Sequence, residues 1–270
     1  MKTLYLGDIV GRTARNTVAQ RLPKLIKKLA LDFVVVNGEN AAGGFGITSE
    51  ICDQLFEAGA DVIVTGNHVW DQKEILPVFE REPRLLRPQN FPASAPGSGI
   101  GRYKVKGGRT AVVVQVMGRV FMDPLDDPFA CVDAALAGIE LGRDAQFVMV
   151  DIHGEATSEK MAMGHHLDGR VSLVAGTHTH VPTADAHVMT GGTAYISDVG
   201  MCGDYASVIG MDKAEPLQRF TRKIATGRFT AALGETTICG VYVESDDRTG
   251  RATHVASLRE GGQLAACWPR

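Results

Sequence analysis

Phe33-Val34-Val35-Val36-Asn37-Gly38-Glu39-Asn40 is an unbroken apolar run that stops at an amide, a glycine, a carboxylate and a second amide. A β-branched run of this kind reads as a strand buried on both faces, as in a sheet covered by helices. Ahead of it, Leu4 to Leu6 ends in Gly7-Asp8-Ile9-Val10-Gly11, and after it Val62 to Val64 leads into Gly66-Asn67-His68-Val69-Trp70-Asp71. Helical spacing fills the gaps. Val18, Leu22, Leu25 or Ile26, and Leu29 follow Thr13, a candidate N-cap, with Pro23 expected to kink or split that helix. Thr48 or Ser49 opens a second helix carrying Ile51, Leu55 and Ala58, which Gly59 can end in a left-handed conformation. The first seventy residues therefore read as βαβαβ, the opening of an α/β fold.

Working outward, Ala111 to Val116, Phe147 to Val150 and Val171 to Ala175 read as further buried strands. Gly240 to Val243 and Ala252 to Val255 read as closing strands around an Asp246-Asp247 turn. The turn-rich stretch from Pro88 to Gly99 reads as a connection between two sheet halves. No shift in composition marks a linker, so residues 1–270 are expected to form a single domain.

Of the 270 residues, 44% are hydrophobic and 22% charged, which fits a folded globular chain and excludes global disorder. The net charge is −3 and no Lys/Arg run exceeds a pair, so no electrostatic footprint for duplex nucleic acid is present. The five cysteines are an odd number and form no C-x-x-C pair, which argues against a disulfide framework and for a reducing compartment. Neither a signal peptide nor a membrane span is legible, and a cytoplasmic setting is expected. Oligomeric state is left open, a homo-oligomer included.

The informative pattern is where the polar residues sit. Phe147 to Val150 ends in Asp151-Ile152-His153-Gly154-Glu155, and Val171 to Ala175 in Gly176-Thr177-His178-Thr179-His180. Strand ends in α/β proteins converge on one crevice where ligands bind. A lone Asp or Asn there is more often a turn former or helix cap. His178 and His180 are different: they alternate across Thr179, so on an extended strand they share a face, and paired imidazoles point to metal binding or catalysis. His165 and His166 lie in a segment that looks helical, where neighbours do not share a face, and are read as surface or packing residues. The strand ends together offer Asp8 and Glu39, Asn40 and Asn67, and His153, His178 and His180, with His68 alongside. Oxygen and nitrogen donors without thiolate suit divalent Mn, Fe, Zn, Ni or Co, with iron or manganese the first choice. Seven donors exceed the needs of one tetrahedral ion and fit two transition-metal ions about 3.5–4 Å apart that share a bridging carboxylate.

Asn67-His68 after a glycine, the isolated His153, and Gly176-Thr177-His178-Thr179-His180 resemble the signature of calcineurin-like metallophosphoesterases. The fuller strings Gly7 to Arg12, Asn37 to Gly46, His153 to Lys160 and Thr179 to Asp185 resemble its YmdB-like bacterial branch. The resemblance runs from Met1 to about Val243. It implies a four-layer α/β/β/α sandwich, with the metals at the strand ends between two sheets, and phosphodiesterase activity on cyclic nucleotides, 2′,3′-cyclic ones such as 2′,3′-cAMP especially. It also implies that Asp8, Asn40 and His180 hold one ion and Asn67, His153 and His178 the other. Glu39 would bridge the two, and His68 would stand beside them without binding. Most superfamily members have a histidine where this chain has Val10, and an aspartate where it has Glu39; both changes belong to the YmdB-like branch. Most also follow the equivalent of His68 with an acidic residue. Here Val69 stands there, so the group that orients His68 is left open, with Asp71 one candidate.

The expected reaction is in-line attack on phosphorus by a hydroxide bridging the two ions, with His68 as general acid to the departing ribose oxygen. Arg119 is a candidate to grip the substrate phosphate, set against an ordinary ion pair. Rival readings are a phosphomonoesterase or an RNA-directed nuclease on the same site, or a regulatory protein whose hydrolysis is incidental.

Overall fold

The computed structural model describes residues 1–269. The chain opens β1 (Lys2–Leu6), α1 (Gly11–Leu29), β2 (Phe33–Asn37), α2 (Ser49–Glu57), β3 (Val62–Val64), α3 (Leu76–Arg81) and β4 (Leu85–Leu86). It continues β5 (Ile100–Val105), β6 (Arg109–Met117), α4 (Pro128–Ala135), β7 (Phe147–His153), α5 (Thr157–Leu167) and β8 (Leu173–Thr177), then the short β9 (His187–Val188) and β10 (Ala194–Ile196). Last come β11 (Gly203–Asp204), α6 (Ala214–Arg222), β12 (Thr236–Ser245) and β13 (Ala252–Glu260). Two sheets result. One has the order β11-β12-β1-β2-β3-β4, with β13 beside β12, and the other β5-β6-β7-β8-β10-β9. β1 through β4 run parallel, as do β6, β7 and β8. The stretch from Pro88 to Gly99 joins the two sheets, as its turn residues require.

Alternation along each strand sorts the apolar residues into three cores. On β2, Val34 and Val36 join the cluster of α1 and α2, while Phe33 and Val35 face the second sheet. On β7, Phe147 and Met149 meet them across the seam, while Val148, Val150 and Ile152 pack under α4 and α5 with Val132, Met163 and Leu167. The same parity carries Asn37, Gln115, Asp151 and His153 onto the seam face, so the core between the sheets turns polar at one end.

Local expectations fare unevenly. Thr48 caps α2 by accepting from the Ile51 amide at 3.3 Å, and Gly59 follows it at φ +105°. Contrary to expectation, α1 begins at Gly11 with Val10 at the cap, and it runs through Pro23 as one helix. Burial of Val18, Leu22 and Leu25 against the sheet outweighs the one hydrogen bond that proline removes. Among the described residues no helix is long and apolar enough to cross a membrane, and all five cysteines are free.

One polar clip ties the seam from outside. Asp32, just before β2, accepts from the Lys2 amide at 2.8 Å and from both terminal nitrogens of Arg109 on β6 at 2.7 and 3.2 Å. Burial works against the Asp32 charge, yet Arg109 and the Lys2 amide hold its carboxyl below the usual carboxylate range. A depressed carboxylate contributes stability above its unfolded pKa of about 3.9 and loses it as pH falls through the lower folded value. Asp32→Asn is therefore expected to cost about 1 kcal/mol at pH 7. Urea denaturation should show the gap to wild type closing as the pH is lowered towards 3.

Candidate metal centre

Five strand ends meet at the polar end of the seam. Glu39, His153 and His178 each place a ligand atom within 4.8 Å of the others, and Asp8, Glu39 and His180 do the same, so two triads share Glu39. Asp8, Glu39, His153 and His180 are all buried. Asn67 joins the first triad, its Oδ1 lying 2.9 Å from His153 Nε2. Asn40 donates its Nδ2 to the Gly44 carbonyl at 3.0 Å, which turns Oδ1 the other way. Asp8, Glu39, Asn67, His153, His178 and His180 thus come together, and Asn40 follows Glu39 in lining the adjoining cavity.

Outer partners set which atom each donor presents. His180 Nδ1 is 2.7 Å from the Ile209 carbonyl, an acceptor only, so Nδ1 holds the proton and Nε2 is left with a lone pair. Thr177 gives its hydroxyl proton to Asp151 Oδ1 at 2.9 Å and so accepts from His153 Nδ1, also at 2.9 Å. Gln115 Nε2 binds the other Asp151 oxygen at 2.7 Å, and its Oε1 accepts from the Thr65 amide at 3.0 Å. Burial lifts the Asp151 carboxyl to about 7.

Burial also works against the charges of Glu39 and His153, but their mutual attraction prevails. Glu39 is held at about 2 and His153 lifted to about 9, with His153 Nε2 3.2 Å from Glu39 Oε1. His178 is pushed down to about 3 by burial and by the charge on His153. One proton among these groups thus does what a cation would do there.

Two buried oxygens find no such relief. Asp8 Oδ1 and Asn40 Oδ1 have no hydrogen-bond partner, and an unsatisfied buried acceptor costs about 1–3 kcal/mol. Both belong to the predicted donor set, and a divalent cation would satisfy them, so the residues present fit the metals that the sequence implies. Gly66 is needed beside them, because a Cβ there would run into Glu39 Oε2 and His153 Nε2.

The two late histidines arrive otherwise than expected. β8 ends at Thr177, and His178 and His180 have φ of +95° and +67°, so they reach the cluster through a tight turn and not by alternating along a strand. Positive φ at two non-glycine residues is strained by about 1–3 kcal/mol each. The turn is held by Asp198, whose Oδ2 accepts from the Thr179 amide at 3.1 Å, the Thr179 hydroxyl at 2.8 Å and the buried Lys160 ammonium at 2.8 Å.

His68 lines the adjoining cavity with its Nδ1 2.8 Å from Asp71 Oδ2, so Asp71 orients it and Nε2 is left free. Arg119 is not among the cavity residues; it pairs on the surface with Asp127 at 3.1 Å, the ordinary alternative to gripping a phosphate. His165 and His166 lie on α5 away from the cluster, and His166 pairs with Asp133 at 3.0 Å. Asp151, Thr177, Gln115, Lys160 and Asp198 are the partners that sequence reading missed. The first two share strand parity with His153 or lie next to His178, a usable signal; Lys160 and Asp198 give none.

Lys160→Met should leave the Asp198 carboxylate buried and unpaired at a cost of about 3–5 kcal/mol. Adding Asp198→Asn to that variant is expected to restore part of the loss, read as a coupling energy in urea titrations of the two single variants and the double variant.

Comparison with known proteins identifies the family. The family model described as YmdB-like protein matches residues 4–258. A Bacillus subtilis (strain 168) protein named 2′,3′-cyclic-nucleotide 2′-phosphodiesterase is 46% identical over 258 residues, covering 96% of each chain. Among solved structures, a hypothetical protein from Thermus thermophilus superposes with a TM-score of 0.90 at 41% identity, over 97% of this chain and 100% of that one. A Mycoplasma pneumoniae structure described as a novel phosphatase gives 0.89 at 32% identity, over 97% of this chain and 93% of that one. With the match spanning nearly its whole length, the chain belongs to the YmdB-like protein family.

Proposed function

We propose that this chain is a phosphodiesterase that hydrolyses cyclic nucleotides, 2′,3′-cyclic ones in particular, on two divalent transition-metal ions. The observation that carries the reading is the pair of triads sharing Glu39, together with buried oxygens of Asp8 and Asn40 that have no hydrogen-bond partner. The 46% identity to the Bacillus protein of that name points to the same substrate class. Asp8, Asn40 and His180 would hold one ion and Asn67, His153 and His178 the other, with Glu39 between them. Iron or manganese suits this oxygen-rich donor set best, ahead of zinc, nickel or cobalt. Such ions supply Lewis-acid charge for the phosphate oxygens and acidify water.

The chain's own residues do the rest. Only Asp8 and Glu39 among the seven donors are anionic, so they would cancel two of the four positive charges of two divalent ions and leave the site attractive to a phosphate ester. Asp71 fixes the His68 ring through Nδ1, and His68 Nε2 then faces the cavity to hand a proton to the departing ribose oxygen. The Asp198 anchor keeps His178 and His180 in their strained turn, so the donor geometry is set before substrate arrives. The three apolar cores support reading the fold as a four-layer α/β/β/α sandwich, and their continuity along the chain supports one domain over 1–270. Five free cysteines fit a cytoplasmic setting.

Side-by-side turnover of adenosine 2′,3′-cyclic phosphate, an aryl monophosphate and a short RNA tests the reading, and a preference for either of the last two would replace it. Glu39→Gln keeps the size of the shared ligand but removes its charge. Most activity and much of the metal affinity should go with it, and near-normal activity with both ions retained by elemental analysis would remove Glu39 as the bridge. His68→Ala should retain metal and slow the cyclic nucleotide about 10²–10⁴-fold. An aryl diester, whose phenolate leaves unaided, should suffer far less. Equal losses on the two substrates, measured as kcat/KM ratios, would reduce His68 to a packing residue.

A further inference from the structure

The cavity beside the triads, about 390 Å³ in volume, has two unlike ends. Glu39, Asn40, His68, His178 and His180 line one, and Phe45, Ile209, Met211, Phe220 and Phe229 the other. The apolar end belongs mostly to the segment after β11, which folds over the crevice with α6. Phe220 is 72% exposed and Ile209 55% exposed, apolar surface that the chain leaves uncovered right at the cluster. This segment is nevertheless fastened. Glu215 takes the Arg219 Nε at 2.7 Å and the Thr226 hydroxyl at 2.8 Å, and the Arg219 guanidinium lies 4.0 Å over the Phe229 ring. Phe45 is fixed from the other side by edge contact with His68, ring centres 5.0 Å apart.

We propose that this apolar wall is the subsite for the base of a nucleotide substrate, and that it accepts the base by its flat face without reading its edges. The proposal rests on the phosphodiesterase reading above. With a phosphate at the triads, the rest of the nucleotide must occupy the same cavity, and the wall is the apolar surface within it. The wall residues are phenylalanine, isoleucine and methionine, none of which offers a hydrogen-bond donor or strong acceptor. Rings and a thioether bind any base by stacking and contact, at about 1–3 kcal/mol per stacked base. A wall of this chemistry accepts all four bases, with purines ahead of pyrimidines through contact area alone.

The test compares adenosine 2′,3′-cyclic phosphate, uridine 2′,3′-cyclic phosphate and the base-free methyl riboside 2,3-cyclic phosphate. In the Phe220→Ala/Phe229→Ala variant, the kcat/KM of the adenosine compound relative to the base-free one should fall about 5–150-fold, through KM. In wild type the two nucleotides should differ by less than about tenfold. Leu217→Ala, on the exposed side of α6 and outside the cavity, is the control. An unchanged ratio in the double variant would overturn the proposal, as would a wild-type preference for one base well beyond tenfold. A shift in oligomeric state by sedimentation with no change of ratio would overturn it too, by assigning the exposed face to a second copy of the chain. If wild type turns over none of the three, the phosphodiesterase reading fails. Calorimetric binding of adenosine 3′-monophosphate against ribose 3-phosphate then decides the subsite alone, which stands if wild type prefers the nucleotide and the double variant does not.

Discussion

Everything in this molecule is arranged around Glu39, a carboxylate 1% exposed that two triads must share. An anion in that position has lost its water and needs positive charge within a few ångströms. His153 provides it when protonated, lifted against burial first by Glu39 and then by Asp8 and Asp151. Burial alone would leave both groups neutral, as it pushes His178 down. The cluster holds that proton where a cation would fit. Binding a metal there would be an exchange of charges more than an addition of one, which makes it pH-dependent by construction.

That constraint propagates into the sheets. Because strands alternate, the residues that form the seam core, Phe33 and Val35 on β2 and Phe147 and Met149 on β7, dictate that Asn37, Asp151 and His153 continue onto the same face. The polar end of the seam is then satisfied internally. Gln115 links Thr65 to Asp151, Asp151 takes the Thr177 hydroxyl, and Thr177 orients His153. Removing any link would leave a buried polar atom unpaired, which costs more than the bond itself is worth. Apolar packing and ligand orientation are in this way one problem, solved by the same strands.

Periodicity shows strand parity, and the glycine-flanked polar strand ends were legible because their positions follow from where each apolar run stops. All seven candidate ligands could be named on that basis, and the structure puts Asp8, Glu39, Asn67, His153, His178 and His180 in one cluster, with Asn40 lining the cavity beside it. Geometry off the strands was not legible. His178 and His180 look like strand alternation, yet both have positive φ, because Asp198, well beyond His180 in the chain, captures Thr179 between them. Nothing local in Ser197-Asp198-Val199 announces that partner, nor Lys160 on α5. Of the two outcomes Pro23 allows, a split does not occur: tertiary burial on either side of it keeps α1 one helix. In the segment carrying Phe220 and Phe229, Leu217, Phe220 and Ile224 recur at helical spacing but stay exposed, so the pattern does not mark a face buried in a core.

The two ends of the cavity divide the work of recognition by physics. Charge at the triads acts on any phosphate ester and distinguishes little among them, since the field does not depend on what the phosphate carries. Discrimination must come from the rest of the molecule, and an apolar wall gives only the modest selectivity of contact area, because no buried donor or acceptor is left unpaired by a wrong base. His68 stands between the ends, its ring against Phe45 and its backbone amide donating to Glu39 Oε2 at 3.3 Å. In the proposed reaction, a base held by the wall would bear on the residue assigned to protonate the leaving oxygen. Packing at the apolar end and proton transfer at the polar end would then be coupled through one imidazole, which Asp71 holds by a hydrogen bond and Phe45 meets by an edge contact.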